Sequence, residues 1–309
     1  MDSDSKTQEV RAVSRELEGR TAIVTGAGRG IGRAIALALA DLGARVVVND
    51  IGRNEDGAAM AEAVVGEIAA KGGEAIASLE SITDYAAAER IVECALGDFG
   101  SADILINNAG VAGSGSIWEV DADEFERVTS THVEGSFNCT RHVVSGMMER
   151  GWGRIVNLVS RSGITGIPGS LAYAVGKGGV LGLTNAASRE LASYGITVNG
   201  VCPASTRTEM VASAVESLGQ QGPEERKRAD SLLAQMQAPE AVARPIAALC
   251  TEAAGSINGQ IFLVEHQRIG LFQPLTVTQR VESEESWSAS ELCGALAALD
   301  LHDLADAYS

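Results

Sequence analysis

Basic residues are scarce in this chain: 24 Lys and Arg stand against 41 Asp and Glu, for a formal charge of −17 at pH 7. Proteins that grip phosphate backbones cluster their cations, so this balance argues against nucleic acid as a partner. Cysteines are few and scattered. Cys94, Cys139, Cys202, Cys250 and Cys293 form no CxxC pair, which argues against a bound metal and against a disulfide framework. It fits a reducing, cytoplasmic setting. No apolar run approaches the ~18 residues of a membrane helix. The polar opening, MDSDSKTQEVRAVSRELEGR, carries no apolar stretch of the secretory type. Membrane and export are therefore not expected.

Glycine and aliphatic residues are abundant, with 35 glycines in a chain that is 45% hydrophobic. From Thr21 the pattern alternates strand, turn and helix, the order of an α/β chain with a parallel sheet. TAIVT is a short apolar run suited to a buried strand. GAGRGIG follows, and apolar residues then recur at helical spacing from Ile31 to Leu42. Gly26, Gly30 and Gly32 sit where a tight turn lets backbone approach a pyrophosphate, with free helix N–H groups beside it. Arg29 and Ile31 belong to the same loop, and Gly28 eases it. The second strand, ARVVVND, ends on Asp50, about twenty residues beyond the glycines. An acid there accepts hydrogen bonds from adenosine ribose hydroxyls and repels a 2′-phosphate, which favours NAD over NADP. Arg29 and Arg53 are the cations that speak for NADP.

Further on, helices are expected over about 57–71 and 85–99. The strand DILIN runs into Asn107-Asn108-Ala109-Gly110, and one long helix is expected over about 123–150. Small residues at Asn108, Ala109 and Gly110 would let a cofactor lie against backbone, although Asn and Gly also favour an ordinary turn. The strand RIVNLV leads to Ser160, and Tyr173 and Lys177 follow four residues apart, on one face of a helix. A nearby ammonium favours the phenolate, as would the positive ring of an oxidised nicotinamide, so the pKa of Tyr173 is expected to fall from about 10 towards working pH. Ser160 can then donate to a substrate oxygen that gains negative charge. Pro203, Thr206 and Thr208 follow the strand ITVNGV, where a mobile segment could close on the cofactor or simply cap a helix.

These motifs resemble the short-chain dehydrogenase/reductase family in order and spacing over about residues 19–265. TGAGRGIG, NNAG, Ser160, Tyr173-x-x-x-Lys177 and VNGVCPASTRT carry the likeness. The resemblance implies a single Rossmann-type, doubly wound parallel sheet of about seven strands with helices on both faces, assembled as a dimer or tetramer. It also implies Tyr173 as general acid/base, Ser160 orienting the substrate oxygen, and Lys177 holding the nicotinamide ribose. VVVNDIGRNEDG, VVGEIAAKGGEAIA, THVEGSF and NGQIFLV look more narrowly like the (3R)-hydroxyacyl-CoA dehydrogenase unit of peroxisomal multifunctional enzymes and its bacterial relatives. His132 in THVEGSF stands where most of the family has Asn supporting a water. Its imidazole is expected to hold that water, to join a proton relay, or only to pack.

Three departures touch the cofactor edge. Glu265-His266-Gln267 replaces a Gly-Gly turn, Pro203-Ala204 replaces Pro-Gly, and Ser81 with Ile82 replaces the acid that many relatives carry beside the adenine. The domain plan is an arm over 1–18, a catalytic domain over 19–268 with a substrate cap at about 204–238, and an extension over 269–309. EERKR in the cap is either a solvated helix face or a contact for an anionic substrate such as a CoA phosphate. In the extension, QPLTVTQRVESEESW reads as a short strand or extended arm, followed by a capped helix packing on the cap or a neighbouring subunit. The expected activity is NAD-dependent interconversion of a secondary alcohol and a ketone, on a 3-hydroxyacyl-CoA or a bulky hydrophobic alcohol such as a hydroxysteroid. The alternatives are an NADPH-dependent carbonyl reductase and a non-catalytic NAD-binding sensor.

Overall fold

Side-chain alternation along short buried strands divides the interior into two apolar layers. The computed structural model describes residues 15–209, 211, 215, 222–283 and 286–300. Its strands are β1 (Thr21–Thr25), β2 (Arg45–Asn49), β3 (Ala75–Ser78), β4 (Ile104–Asn107), β5 (Gly153–Leu158), β6 (Ile196–Pro203), β7 (Ile261–Glu265) and β8 (Arg268–Leu271). They form one sheet in the order β3-β2-β1-β4-β5-β6-β7-β8. All neighbours pair parallel except β7 and β8, which pair antiparallel.

The sheet thus has eight strands where about seven were expected. The added strand is a hairpin partner for β7. His266 takes φ 53, the left-handed conformation a tight reversal needs, and Glu265 pairs with Arg268 across the turn. A domain boundary at 268 would cut β8, and the two compact units of the chain meet instead between Leu271 and Phe272.

Helices α1 (Gly30–Asp41), α2 (Met60–Ala70), α3 (Tyr85–Phe99), α4 (Ala122–Thr129), α5 (Gly135–Arg150), α6 (Arg161–Thr165), α7 (Leu171–Leu191), α8 (Pro223–Gln235) and α9 (Pro239–Leu249) join the strands. Val24, Val46 and Ile106 face one layer with Ile35 and Leu39 of α1, Ile68 of α2 and Ile246 of α9. Ile23, Val47 and Leu105 point the other way, to Ile91 of α3, Met147 of α5 and Leu191 of α7. Each such aliphatic side chain contributes roughly 1.5–3 kcal/mol on burial. Successive residues serve opposite layers because strand side chains alternate. No described helix is long and apolar enough to cross a membrane.

The helices depart from expectation at two places. The span 123–150 is broken by a π-helical turn, Ser130–Glu134, between α4 and α5. The five-residue α6 was not expected at all. In the second unit, residues 272–283 and 286–288 contain no strand, so the anticipated alternation does not pair. Helix α10 (Ala289–Ala297) follows, with Ser288 and Glu291 forming a reciprocal capping box.

The strand order reverses direction of growth between β1 and β4, and in open parallel sheets the crevice beyond the carboxyl ends at such a point receives ligands. A buried polar ladder holds this region. Asn107 Nδ2 donates to Asn157 Oδ1 at 2.8 Å and to Thr140 Oγ1 at 3.1 Å, and Asn157 Nδ2 donates to Thr184 Oγ1 at 2.8 Å. Together they tie β4 and β5 to α5 and α7. Asn107→Ala leaves the Asn157 oxygen buried without that donor, and should cost about 1–3 kcal/mol. A lowered urea midpoint is the expected result, and an unchanged midpoint would show that the ladder carries no stability.

Candidate functional site

At the carboxyl edge of the sheet, the ends of β1, β2, β4, β5 and β6 surround a cleft of about 790 Å³. Gly26, Arg29, Gly30, Ile31, Gly32, Asp50, Ser81, Ile82, Asn108, Ala109, Gly110, Pro203, Thr206 and Thr208 all line it. So do His132, Ser160, Tyr173 and Lys177, which brings the candidate catalytic and cofactor residues to one space, while Gly28 and Arg53 do not line it.

The glycine loop is fitted tightly. A Cβ on Gly26 would stand 2.7 Å from Ala109 Cα, and one on Gly32 would run into the Gly26 carbonyl. Gly30 has φ +54, which a side chain strains to adopt. Asn108 stitches the loop to β1, its Nδ2 donating to Thr25 O at 2.8 Å and Gly26 O at 2.9 Å. Thr25 Oγ1 in turn accepts from the N–H of Asn108 and of Ala109, each at 3.1 Å. Bare backbone therefore lines the cleft where a pyrophosphate needs it, and α1 begins there. The cradle fits a dinucleotide.

Asp50 directly follows β2 at the rim, but it does more than face solvent. Its Oδ2 accepts from Gly28 N–H at 2.8 Å and its Oδ1 from Gly52 N–H at 2.7 Å. The carboxylate is thereby fixed against the loop, where a Cβ on Gly28 would crowd it at 2.9 Å. The two neighbouring arginines are engaged elsewhere. Arg29 Nη1 donates to Glu209 at 2.8 Å, and Arg53 Nη1 donates to Gly57 O at 2.9 Å. Glu209 brings the start of the cap onto the glycine loop, although an exposed pair of this kind is worth only about 0–1 kcal/mol. The 210, 212–214 and 216–221 part of the anticipated cap lies outside the described residues. In the rest, Lys227 pairs with Glu224 on exposed α8, and none of 224–228 lines the cleft. Exposure of Glu224, Arg226, Lys227 and Arg228 favours the solvated-face reading of EERKR.

Ser160 caps α6, its Oγ accepting from Ser162 N–H at 3.2 Å. Tyr173 and Lys177 lie one turn apart on α7, and Lys177 Nζ donates to Leu158 O at 2.6 Å, 5.9 Å from the Tyr173 ring centre. Burial sets the protonation of all three titratable groups. It lowers the ammonium of Lys177 to about 8. The phenol of Tyr173 is raised, first by burial, with the Ser160 hydroxyl pulling it back. Among the protein's own groups the shift is therefore upward, because desolvation outweighs the Ser160 hydrogen bond.

His132 is carried inward by the π-helical turn and is almost completely buried. It packs between the backbones of Gly110 and Gly176, edge-on to Tyr173 with ring centres 5.2 Å apart. Nε2 lies 2.9 Å from Val111 O. A carbonyl only accepts, so the proton sits on Nε2 and leaves Nδ1 as a buried acceptor with no partner among the described residues. Burial, aided by the charge of Lys177, pulls the imidazole down to about 3. It is neutral at working pH, which disfavours a relay through imidazolium and leaves water-holding or packing.

Several lining residues escaped the sequence reading. Arg161 and Ile167 belong to α6 and the loop after it, and Arg127 to α4. The buried Gln237 is a support rather than a lining group, donating to Ala204 O, Thr206 Oγ1 and Val264 O while accepting from His266 N–H. No local signal marks it, because its partners come from two distant segments, 204–206 and 264–266.

Known proteins agree with this architecture. The family described as short chain dehydrogenase matches residues 20–219. A 3-oxoacyl-[acyl-carrier-protein] reductase, FabG, of Staphylococcus aureus is 38% identical over 241 residues, 78% of this chain and 94% of that protein. Hydroxyacyl-CoA dehydrogenase ChsB1 of Mycobacterium tuberculosis is 33% identical over 290 residues, 91% and 88% respectively. The crystal structure of a short chain dehydrogenase from Mycobacterium avium superposes with a TM-score of 0.78 at 34% identity, covering 91% of this chain and 94% of that one.

The pKa of His132 makes a solution prediction. Its folded value of about 3 lies below the unfolded value of about 6.5. Between the two the unfolded chain binds more protons, so stability is present above 6.5 and is lost as pH falls towards 3. The slope is at most about 1.4 kcal/mol per pH unit. His132→Asn removes it. Urea unfolding at pH 7 and 4.5 should show wild type losing more stability than the variant, and equal losses would contradict the buried neutral imidazole.

Proposed function

This chain belongs to the short chain dehydrogenase family, a family of oxidoreductases that bind a nicotinamide cofactor and act on CH–OH groups, and we propose that it is an NAD-dependent enzyme interconverting a secondary alcohol and a ketone. The observation that carries the reading is the convergence of Ser160, Tyr173 and Lys177 on the same cleft as the glycine loop and Asp50.

Bound nicotinamide supplies or accepts the hydride. The chain's residues do the rest. The loop from Gly26 to Gly32 and the backbone at Asn108–Gly110 would hold the dinucleotide, with Ile82 and Ser81 beside its adenine end. Asp50 supports NAD over NADP: it is a fixed carboxylate at the rim, and the nearby Arg29 and Arg53 are already partnered. A 2′-phosphate there would meet a negative charge and no free cation among those two. Tyr173 exchanges the proton of the reacting oxygen, and Ser160 donates a hydrogen bond to that oxygen as its charge develops. Lys177, anchored on Leu158 O with its charge near the phenol, would hold the nicotinamide ribose. A non-catalytic sensor has no chemical use for all three groups.

For the substrate we favour a 3-hydroxyacyl thioester, because two relatives are named for hydroxyacyl and oxoacyl substrates and the cleft carries Val111, Ile167 and Val211 for an apolar chain. Bulky alcohols such as hydroxysteroids are the other class the cleft would admit. Phe137 on α5 and Val175 on α7 are 48% and 44% exposed, a face that a second copy would cover in a dimer or tetramer.

The test is nicotinamide absorbance with NAD across both enantiomers of a 3-hydroxyacyl-CoA, hydroxysteroids and simple secondary alcohols, with Tyr173→Phe alongside. One hydroxyacyl enantiomer should be oxidised preferentially. Tyr173→Phe should lose at least about 100-fold in kcat while still binding NAD. Turnover surviving in that variant would remove Tyr173 from the chemistry.

A further inference from the structure

Seven charged side chains line the cleft, and six of them are engaged. Arg29 pairs with Glu209, Arg127 with Glu124, and Glu80 with Arg90. Asp50 accepts two backbone N–H groups, and Lys177 donates to Leu158 O. Arg161 is the exception: its guanidinium has no hydrogen bond or ion pair among the described residues. It is exposed, it faces the cleft, and it directly follows Ser160 at the start of α6.

Resting on the dehydrogenase reading above, we propose that Arg161 is a specificity-determining residue that binds an oxoanion carried by the substrate. Three features support it. Consecutive Cα atoms are about 3.8 Å apart, so Arg161 is rooted directly beside Ser160, and both residues line the same cleft. Its planar array of donors suits the paired oxygens of a carboxylate or phosphate. The chain carries a net charge of −17, so an uncompensated cation at this edge is a local attraction set in a repelling field. The cleft is divided by charge: the fixed carboxylate of Asp50 lies on the loop side and Arg161 on the side of Ser160 and Ile167. Carboxylate near the reacting carbon and the phosphates of a CoA arm present the same oxoanion chemistry at different distances.

The experiment compares reduction of 3-oxohexanoate, 3-oxohexanoyl-CoA and methyl 3-oxohexanoate with NADH by wild type, Arg161→Gln and Arg161→Lys. In Arg161→Gln, kcat/KM for an anionic substrate relative to the ester should fall about tenfold, the loss of a charge-assisted hydrogen bond. Arg161→Lys should recover part of it. A fall confined to 3-oxohexanoate places the bound group beside the reacting carbon, and a fall confined to the CoA thioester places it on the carrier arm. Ratios that stay constant overturn the proposal. If wild type reduces none of the three, the dehydrogenase reading fails separately. Calorimetric titration of 3-oxohexanoate and of CoA then reads the oxoanion site directly: binding that weakens in Arg161→Gln supports it, and equal binding or none at all rejects it.

Discussion

The contact on which the site depends is the bare approach of Gly26 to Ala109, where the end of β1 meets the end of β4. There is no room for one added carbon. Asn108 holds the two strand ends together with a single side chain, donating to the carbonyls of Thr25 and Gly26. Because the sheet is parallel here, its carboxyl ends share one edge, and the strand order turns at this contact. Six strand ends feed that edge: the glycine loop after β1, Asp50 after β2, Ser81 after β3, Asn108 after β4, Ser160 after β5 and Thr206 after β6, with α7 bringing Tyr173 and Lys177 alongside. A fold that brings these strand ends together needs only short loops to build a binding cleft.

Desolvation governs the electrostatics within it. Lys177 becomes a weaker base, Tyr173 a weaker acid and His132 a neutral acceptor, all for the same reason. With its pKa at about 8, Lys177 still carries its charge at neutral pH, while Tyr173 and His132 are neutral, and a charge counts for more there than at the surface. Partnered ions at the rim, such as Arg29 with Glu209, screen that interior without entering it.

The sequence disclosed what is locally encoded. A strand followed by GAGRGIG and a helix can be read without knowing any other part of the chain, and Asp50 and Tyr173-x-x-x-Lys177 are fixed by counting residues. Features made by distant partners stayed hidden. The π-helical turn that carries His132 inward, the hairpin strand β8 and the four bonds of Gln237 each depend on packing between remote segments. The burial that raises the Tyr173 phenol is hidden in the same way, whereas the neighbouring lysine is visible in sequence. Arg161 was passed over because an arginine after a serine has no local meaning; its significance lies in the partners that its neighbours have and it lacks.

The central claim is that this edge is an NAD site in which Asp50 refuses a 2′-phosphate. Equilibrium titration of the protein with NADH and with NADPH, followed by nicotinamide fluorescence, tests it without any knowledge of the substrate. The account predicts that NADH binds at least about tenfold more tightly, a difference of about 1.4 kcal/mol. Equal affinities, or tighter NADPH, would contradict it.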